Sequence, residues 1–400
     1  MLIGIIGKPN VGKSTFFNAA TDFSVPTANY PFTTIKPNIG LAHIRVKCVC
    51  KEFDITDSPV HSVCVYGNRF IPVNLIDVAG LVPGAHIGKG LGNKFLDEAR
   101  QADALIHVID ASGSTDPEGK AISPGTGDPL LDIESVEKEI DLWLASIVAK
   151  DWSKIQRESE NQSQKTEEIL ATRLSGFGVT VAQIRSIMNR FNLFSKNLDL
   201  WNESDIINFS KAIRIHTKPI VIAANKVDSE TAADNLDKIK RNKRDAIPCV
   251  AEAEVLLRRA SNKGILDYLP GDNDFKIKDI LHLTDRQRRA LIKIRSLIQR
   301  YGSTGIQRTI NVATLELLKL IVVYPVEDEL KLTDKKGNVL PDARLIPYGS
   351  TIRDLAGKIH TDLSKGLLYG IDVRSNMRLG RDHILKNNDV IKIVSTTSKG

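Results

Sequence analysis

No apolar run in this 400-residue chain approaches the roughly 18 to 20 residues that a membrane-crossing helix needs, which sets aside a helical membrane protein. Four cysteines are too few for a disulfide scaffold. Nothing at the start of the sequence resembles a secretory leader, so the expectation is a cytoplasmic protein with no membrane partner. A large excess of one charge is also lacking: 55 basic against 48 acidic residues leave +7, which favours a polyanionic partner without demanding one. Apolar material is ample. At 42% hydrophobic residues the chain can bury a sizeable core, and its length suggests about two to four domains.

The stretch Gly7-Lys8-Pro9-Asn10-Val11-Gly12-Lys13-Ser14-Thr15 follows the apolar run Leu2 to Ile6 and precedes a helix-compatible segment, Phe16 to Ala20. A strand feeding a glycine-rich turn that opens a helix aims successive backbone N–H groups inward, and the helix N-terminus adds partial positive charge. Residues 8–15 therefore predict a phosphate-binding loop: Lys13 reaches β and γ phosphates, and the Ser14 hydroxyl takes a place on Mg²⁺.

Downstream segments supply the rest of a nucleotide site. Asn29 to Pro37 is a proline-punctuated loop before a strand expected at Ile39 to Val46. A switch needs a mobile threonine that binds Mg²⁺ and the γ phosphate and lets go after hydrolysis. Thr34 is the candidate and Thr33 the alternative; the competing reading is two β-formers leading into the strand. Phe70 to Asp77 reads as a buried strand delivering Asp77-Val78-Ala79-Gly80 at its carboxyl end, where α/β sheets bind ligands. Asp77 would hold a Mg²⁺ water, and Gly80 can bring its N–H to the γ phosphate. The glycine-rich run 81–93 suits a second switch, but Leu81 stands where Ras-like GTPases carry a water-orienting glutamine.

Two further apolar strands, Ala104 to Asp110 and Pro219 to Ala224, lead to the residues that select a base. In Asn225-Lys226-Val227-Asp228, the Asp228 carboxylate can accept from both N1–H and the exocyclic amine of guanine. Two charge-assisted bonds at roughly 1.5 to 3 kcal/mol each give at least about a hundredfold preference over adenine. Asn225 would tie loops together, the Lys226 stem would cover the base, and the backbone at Ala251 could meet the guanine oxygen, after a strand near Ala246 to Val250.

Other segments carry less defined signals. Residues 48–69 look like an insertion holding Cys48, Cys50, His61 and Cys64; zinc could use them, although Cys-x-Cys spacing is unusual, and inert cysteines alternating on a strand explain them too. Between Asp110 and Pro219 an interruption of about 100 residues has helical periodicity at Ile133, Val136, Ile140, Trp143 and Ile147 and a polar middle, favouring a solvated helical projection. Thr284 with Gln287 forms a capping box for a helix crowded with Arg286, Arg288, Arg289, Lys293, Arg295 and Arg300, either a solvated face or a phosphate-contacting one. From Lys319 onward, short strands around one helix at Thr351 to His360 suggest a small α+β, ubiquitin-like module.

Taken together, these motifs resemble the YchF/Ola-type branch of the Obg family of translation-associated GTPases, particularly its archaeal members. The resemblance rests on residues 7–15, Asn29 to Thr34, Asp77 to Ala85, Gly90 to Leu96, and His360-Thr361-Asp362-Leu363 in a segment like a TGS domain. It implies an α/β P-loop GTPase domain (1–127 and 215–262), a helical insertion (128–214), a helical connecting segment (263–319) and a TGS-like domain (320–400). It also implies GTP or GDP as ligand, Mg²⁺ dependence, and binding to ribosomes or RNA rather than DNA. Leu81 becomes a family trait. Asn10 becomes a candidate for holding K⁺ against the phosphates, with turn stabilisation as the alternative. Many YchF members depart from Asn-Lys-x-Asp and prefer ATP, whereas this chain keeps Asp228. The expected function is a slow GTP-hydrolysing switch; the alternative is an RNA- or ribosome-binding factor with incidental hydrolysis that also accepts ATP.

Overall fold

The computed structural model describes residues 1–22, 38–78, 80, 84, 98–150, 152–160, 165–191, 198–278 and 283–396. Thr33, Thr34, Leu81 and most of the glycine-rich run 81–93 lie outside the described residues. The chain forms two compact units, one comprising Met1–Asp22, Pro37–Gly40 and Asn74–Thr309, the other Phe23–Lys36, Leu41–Val73 and Ile310–Gly400.

In chain order, the elements begin with β1 (Leu2–Ile6), α1 (Lys13–Thr21), β2 (Ile39–Lys47), β3 (Val63–Val65), β4 (Asn68–Asp77) and β5 (Ala104–Asp110). The interruption then supplies α2 (Pro129–Ala149), α3 (Trp152–Glu160), α4 (Thr166–Arg173), α5 (Val181–Arg190) and α6 (Glu203–Thr217). β6 (Ile220–Asn225), α7 (Ala232–Arg241), β7 (Ala246–Pro248) and α8 (Ala251–Asn262) complete the α/β part, before the short pair β8 (Leu266–Asp267) and β9 (Lys276–Ile277), α9 (Asp285–Tyr301) and α10 (Ile306–Asn311).

A parallel sheet in the order β4-β1-β5-β6-β7 organises the first unit. Its central strand β5 is buried at all seven residues, which is why Ala104 to Asp110 reads as a mainly apolar run, interrupted only by His107 before Asp110, instead of alternating. Parallel pairing brings the carboxyl ends of β1, β4, β5 and β6 to one edge, where Gly7, Asp77, Asp110 and Asn225 emerge. Asn225 stands opposite Asp110 in register.

The helical interruption is not a solvated projection. Val136, Ile140, Leu144, Ile155, Ile169, Phe209 and Ile213 share one buried cluster with Ile6, Ile76 and Leu105 of the sheet. Trp201 packs on Trp152 and Phe209 with ring centroids 5.5 and 5.3 Å apart. The polar middle misleads because Ile155, Ile169 and Leu170 turn inward, and some of its charges pair: Arg185 Nη2 meets Glu167 Oε1 at 2.9 Å. Deeper still, Arg214 Nε donates to Asp141 Oδ1 at 2.6 Å and joins α6 to α2.

The second unit contains β10 (Leu320–Val326), β11 (Arg344–Pro347), α11 (Ile352–Ile359), α12 (Thr361–Lys365), β12 (Leu367–Asp372), β13 (Met377–Leu379) and β14 (Val390–Ser395). Its five-stranded sheet runs β11-β10-β14-β12-β13, with β10 and β14 parallel. α11 starts at a Thr351/Asp354 capping box and buries Ile352 and Leu355 against Ile321, Val323 and Ile391. Residues 48–69 belong to this unit: Val60 N–H donates to Pro341 O at 2.8 Å, and the fully buried Arg69 donates to Leu340 O at 2.9 Å.

Candidate nucleotide site

A pocket of about 690 Å³ opens at the carboxyl edge of the parallel sheet. Asn10, Gly12, Lys13, Ser14, Thr15, Asn225, Lys226, Asp228 and Ala251 all line it. Ser112, Ser114, Pro124, Ser229, Val250, Glu252 and Lys293 complete the lining.

The phosphate loop takes its shape from two left-handed residues, Asn10 at φ 61° and Gly12 at φ 96°. At Gly12 a side chain has no room, because a Cβ would lie 2.3 Å from Asn225 Nδ2. α1 then starts at Lys13 with no side chain capping its N-terminus, so its first N–H groups stay available to an anion. Lys13 Nζ donates to Lys8 O at 2.8 Å, and Ser14 Oγ donates to Asp77 Oδ2 at 2.9 Å. Burial pushes the Lys13 ammonium down to about 8, against the pull of the Asp77 carboxylate. Burial likewise raises Asp77, against the Ser14 hydrogen bond and Lys13. The hydroxyl and carboxylate are hard oxygen donors suited to Mg²⁺. Gly80 sits beside them: a Cβ there would come within 3.1 Å of Pro9 Cγ and 3.2 Å of Lys13 Nζ.

Lys8 and Asn10 point elsewhere. The Lys8 side chain is buried and bonded to Thr115 O at 3.0 Å and to Asp132 of α2 at 2.7 Å, so only its backbone faces the phosphate loop. Asn10 Nδ2 donates to Gly119 O at 2.9 Å, a tie to the 112–127 segment in place of a bond within its own turn. Both partners escaped sequence reasoning, since neither Asp132 nor Gly119 carries a local motif.

The part of the pocket expected to take the base is built on Asn225. Its amide nitrogen donates to Val11 O at 3.0 Å and its amide oxygen accepts from Ala251 N at 3.1 Å, so one buried side chain joins the phosphate loop to the start of α8. The Ala251 N–H is thereby engaged by Asn225. Lys226 adopts the left-handed φ of 64° and is fastened through Nζ to Asp110 Oδ2 at 2.9 Å. Asp110 also accepts from the hydroxyls of Ser112, Ser114 and Thr115. Burial alone would raise its carboxyl, but the Ser112 and Lys226 hydrogen bonds outweigh that and hold it below the ordinary range. Asp228 is more open, with Lys293 Nζ of α9 at 3.6 Å.

Of the four residues at 48–69, three come together: Cys48, Cys50 and Cys64 converge with Asp57. His61 does not join them, and its Nδ1 lies 2.6 Å from Asp342.

This geometry agrees with comparisons to known proteins. The family described as 50S ribosome-binding GTPase matches residues 2–172, the Obg-like GTPase YGR210-like, G4 motif-containing domain matches residues 223–328, and the TGS domain matches residues 336–395. An uncharacterized GTP-binding protein of Methanocaldococcus jannaschii is 47% identical over 98% of this chain and 99% of its own length. The chain belongs to the Obg-like P-loop GTPases. The crystal structure of a GTP binding protein from Pyrococcus horikoshii OT3 superposes with a TM-score of 0.78 at 39% identity, covering 99% of this chain and all of that one. A Buchnera aphidicola protein named ribosome-binding ATPase YchF is 29% identical over 91% of this chain and 86% of its own. P-loop GTPases of this kind use Mg²⁺, and the Ser14–Asp77 pair fits it. Among the described residues, no helix is long and apolar enough to cross a membrane.

Because Asn225 is 4% exposed, Asn225→Ala leaves Val11 O and Ala251 N buried without this partner. The expected loss is roughly 2 to 4 kcal/mol of stability, read from urea unfolding of the full chain; a loss below about half a kcal/mol would mean that the two loops hold each other without it.

Proposed function

We propose that this chain is a guanine-nucleotide switch that hydrolyses GTP slowly and binds ribosomes or RNA in the cytoplasm. The observation carrying this reading is the shared pocket: the phosphate loop and Asp228 line one cavity and are joined through Asn225. In the reaction, water attacks the γ phosphorus and GDP leaves. Mg²⁺ on Ser14 and Asp77, with Thr34 as a further ligand, would neutralise charge on the phosphate oxygens. Lys13 holds its ammonium against the β and γ oxygens, and the Gly80 N–H donates to the γ phosphate as its charge grows. Lys8, Pro9, Val11, Gly12 and Thr15 contribute through the backbone of the loop.

Base choice is tested at Asp228. The wild type should bind GTP at least about a hundredfold more tightly than ATP. Asp228→Asn should weaken GTP and improve xanthosine triphosphate, because an amide can donate to the extra oxo group. Equal wild-type affinities for ATP and GTP, measured by calorimetry, would overturn the guanine assignment.

That outcome would favour the second reading, a ribosome-binding factor that accepts ATP and for which hydrolysis is incidental. The Buchnera relative's name, ribosome-binding ATPase, supports keeping it.

Hydrolysis without a glutamine at position 81 needs another source of charge, and we propose K⁺ held with the help of Asn10. Asn10 Nδ2 is already bonded to Gly119 O, so the side-chain oxygen is the atom offered to a cation. Single-turnover hydrolysis should be slow, about 10⁻⁴ to 10⁻² per second unassisted, and faster in potassium than in sodium buffer. Asn10→Ala should erase that difference; identical wild-type rates in both salts would remove the ion from the mechanism.

Ribosome or RNA contact is assigned to α9, where Arg286, Arg288 and Arg289 are exposed. Arg295 is spoken for, with Nε 2.9 Å from Asp274 Oδ1 and its guanidinium 4.5 Å from the Phe275 ring centroid. Replacing Arg286 and Arg289 with Ala should flatten the salt dependence of RNA binding by somewhat under one log–log unit per lost phosphate contact. An unchanged slope returns this helix to an ordinary solvated face.

A further inference from the structure

We propose that Cys48, Cys50, Asp57 and Cys64 form a closed, mononuclear Zn²⁺ site that staples the 48–69 segment, separate from the nucleotide pocket. The three thiol sulfurs and a carboxylate oxygen of Asp57 all lie within 4.8 Å of one another. Cys50 Sγ and Cys64 Sγ are 3.8 Å apart, and Cys48 Sγ lies 3.2 Å from Asp57 Oδ2. Four ligands around a tetrahedral zinc with Zn–S bonds of about 2.3 Å place neighbouring sulfurs about 3.8 Å apart. The cluster therefore already has the size of one ion's coordination shell. An iron–sulfur cluster spreads its cysteines over several iron atoms and needs wider spacing.

The backbone explains how an unusual Cys-x-Cys spacing can work. Cys48 is extended, with its N–H bonded to Gly67 O at 2.8 Å, and a 3₁₀ turn over Val49–Lys51 then swings Cys50 toward the same side. Ile55 N–H donates to Cys50 O at 3.0 Å and returns the chain so that Asp57 meets the thiols. Cys64 arrives from β3, opposite Arg69 of β4.

The surroundings fit an anionic metal centre. Arg69 is fully buried, with Nη2 3.2 Å from Asp57 Oδ2 and Nη1 donating to Ser62 Oγ at 2.9 Å. Three thiolates and a carboxylate on Zn²⁺ carry a net charge of −2, which the Arg69 guanidinium halves while fixing the orientation of Asp57. A Cys50–Cys64 disulfide would account for two of the four groups. It gives no reason for the third thiol and the carboxylate to converge on the same point.

The test uses full-length protein. Desalted wild type should carry about one zinc per chain by elemental analysis, and the Cys48→Ser/Cys64→Ser double variant should carry none. Replacement by Co²⁺ should give thiolate-to-cobalt charge-transfer absorption and tetrahedral ligand-field bands. Asp57→Asn should shift the ligand-field bands and keep the charge transfer. The wild-type cobalt spectrum stands even where the double variant does not fold. The proposal is overturned if reduced, metal-stripped wild type takes up neither Zn²⁺ nor Co²⁺ stoichiometrically against a chromophoric chelator. It is equally overturned if the freshly purified protein is metal-free with a Cys50–Cys64 disulfide by mass spectrometry.

Discussion

The Asn225 side chain holds together two parts of the pocket, the phosphate loop and the start of α8. Its amide reaches Val11, 214 residues away in sequence, and Ala251, at the start of α8. A planar amide carries its N–H donors and its carbonyl acceptor on separate atoms, so it can satisfy a carbonyl and an N–H lying apart from each other. Gly12 is part of the same constraint, because any side chain there would occupy the space of Asn225 Nδ2. The register of the sheet puts Asn225 at the required place: as β6 pairs with β5, Asn225 lies opposite Asp110, and both emerge at the ligand-binding edge.

Around this frame the buried charges are arranged so that each is compensated locally. Asp110 is fully buried yet ionised, because three hydroxyls and the Lys226 ammonium surround it. Lys226 in turn holds a left-handed backbone conformation that costs on the order of 1 to 3 kcal/mol unless its surroundings fix it. Lys8 is treated similarly by Asp132, which fastens the phosphate loop to α2. The helical interruption is therefore coupled to the nucleotide site by an ion pair as well as by the apolar core it shares with the sheet.

The phosphate loop, Asp77 and Asn225 to Asp228 were legible in the sequence because each is a short local motif at a strand end, even though Asn225 and Asp77 bond partners far along the chain. The central strands were equally plain, since burial on both faces leaves mainly apolar runs. What stayed hidden depends on distant partners. Nothing near Lys8 announces Asp132, and nothing near Asn10 announces Gly119. The 128–214 helices read as solvated because composition records how many residues are polar and not where the apolar ones point; Ile155 in a polar helix is 1% exposed. His61 and Asp57 illustrate the same limit. Spacing alone grouped the histidine with the cysteines, whereas the fold gives His61 to Asp342 and brings in Asp57. One signal was available and unused: Asp110 ends an apolar strand as Asp77 does, and Ser112, Ser114 and Thr115 follow it closely.

The residues of the base end also differ in how firmly they are held, and that gradation follows from what each must do. Asn225 and Asp110 are buried and fully engaged, so they can fix geometry but cannot exchange partners cheaply. Asp228 is different: its partner Lys293 is 3.6 Å away, and the two side chains are 39% and 63% exposed. An ion pair so open to water is worth at most about 1 kcal/mol. Two N–H donors presented by a ligand, at roughly 1.5 to 3 kcal/mol each to a carboxylate, outweigh it. On the guanine reading proposed above, a base-selecting group has to be positioned by its backbone and left weakly partnered at its tip. Asp228, three residues beyond the locked Asn225 and two beyond the fastened Lys226, meets both conditions.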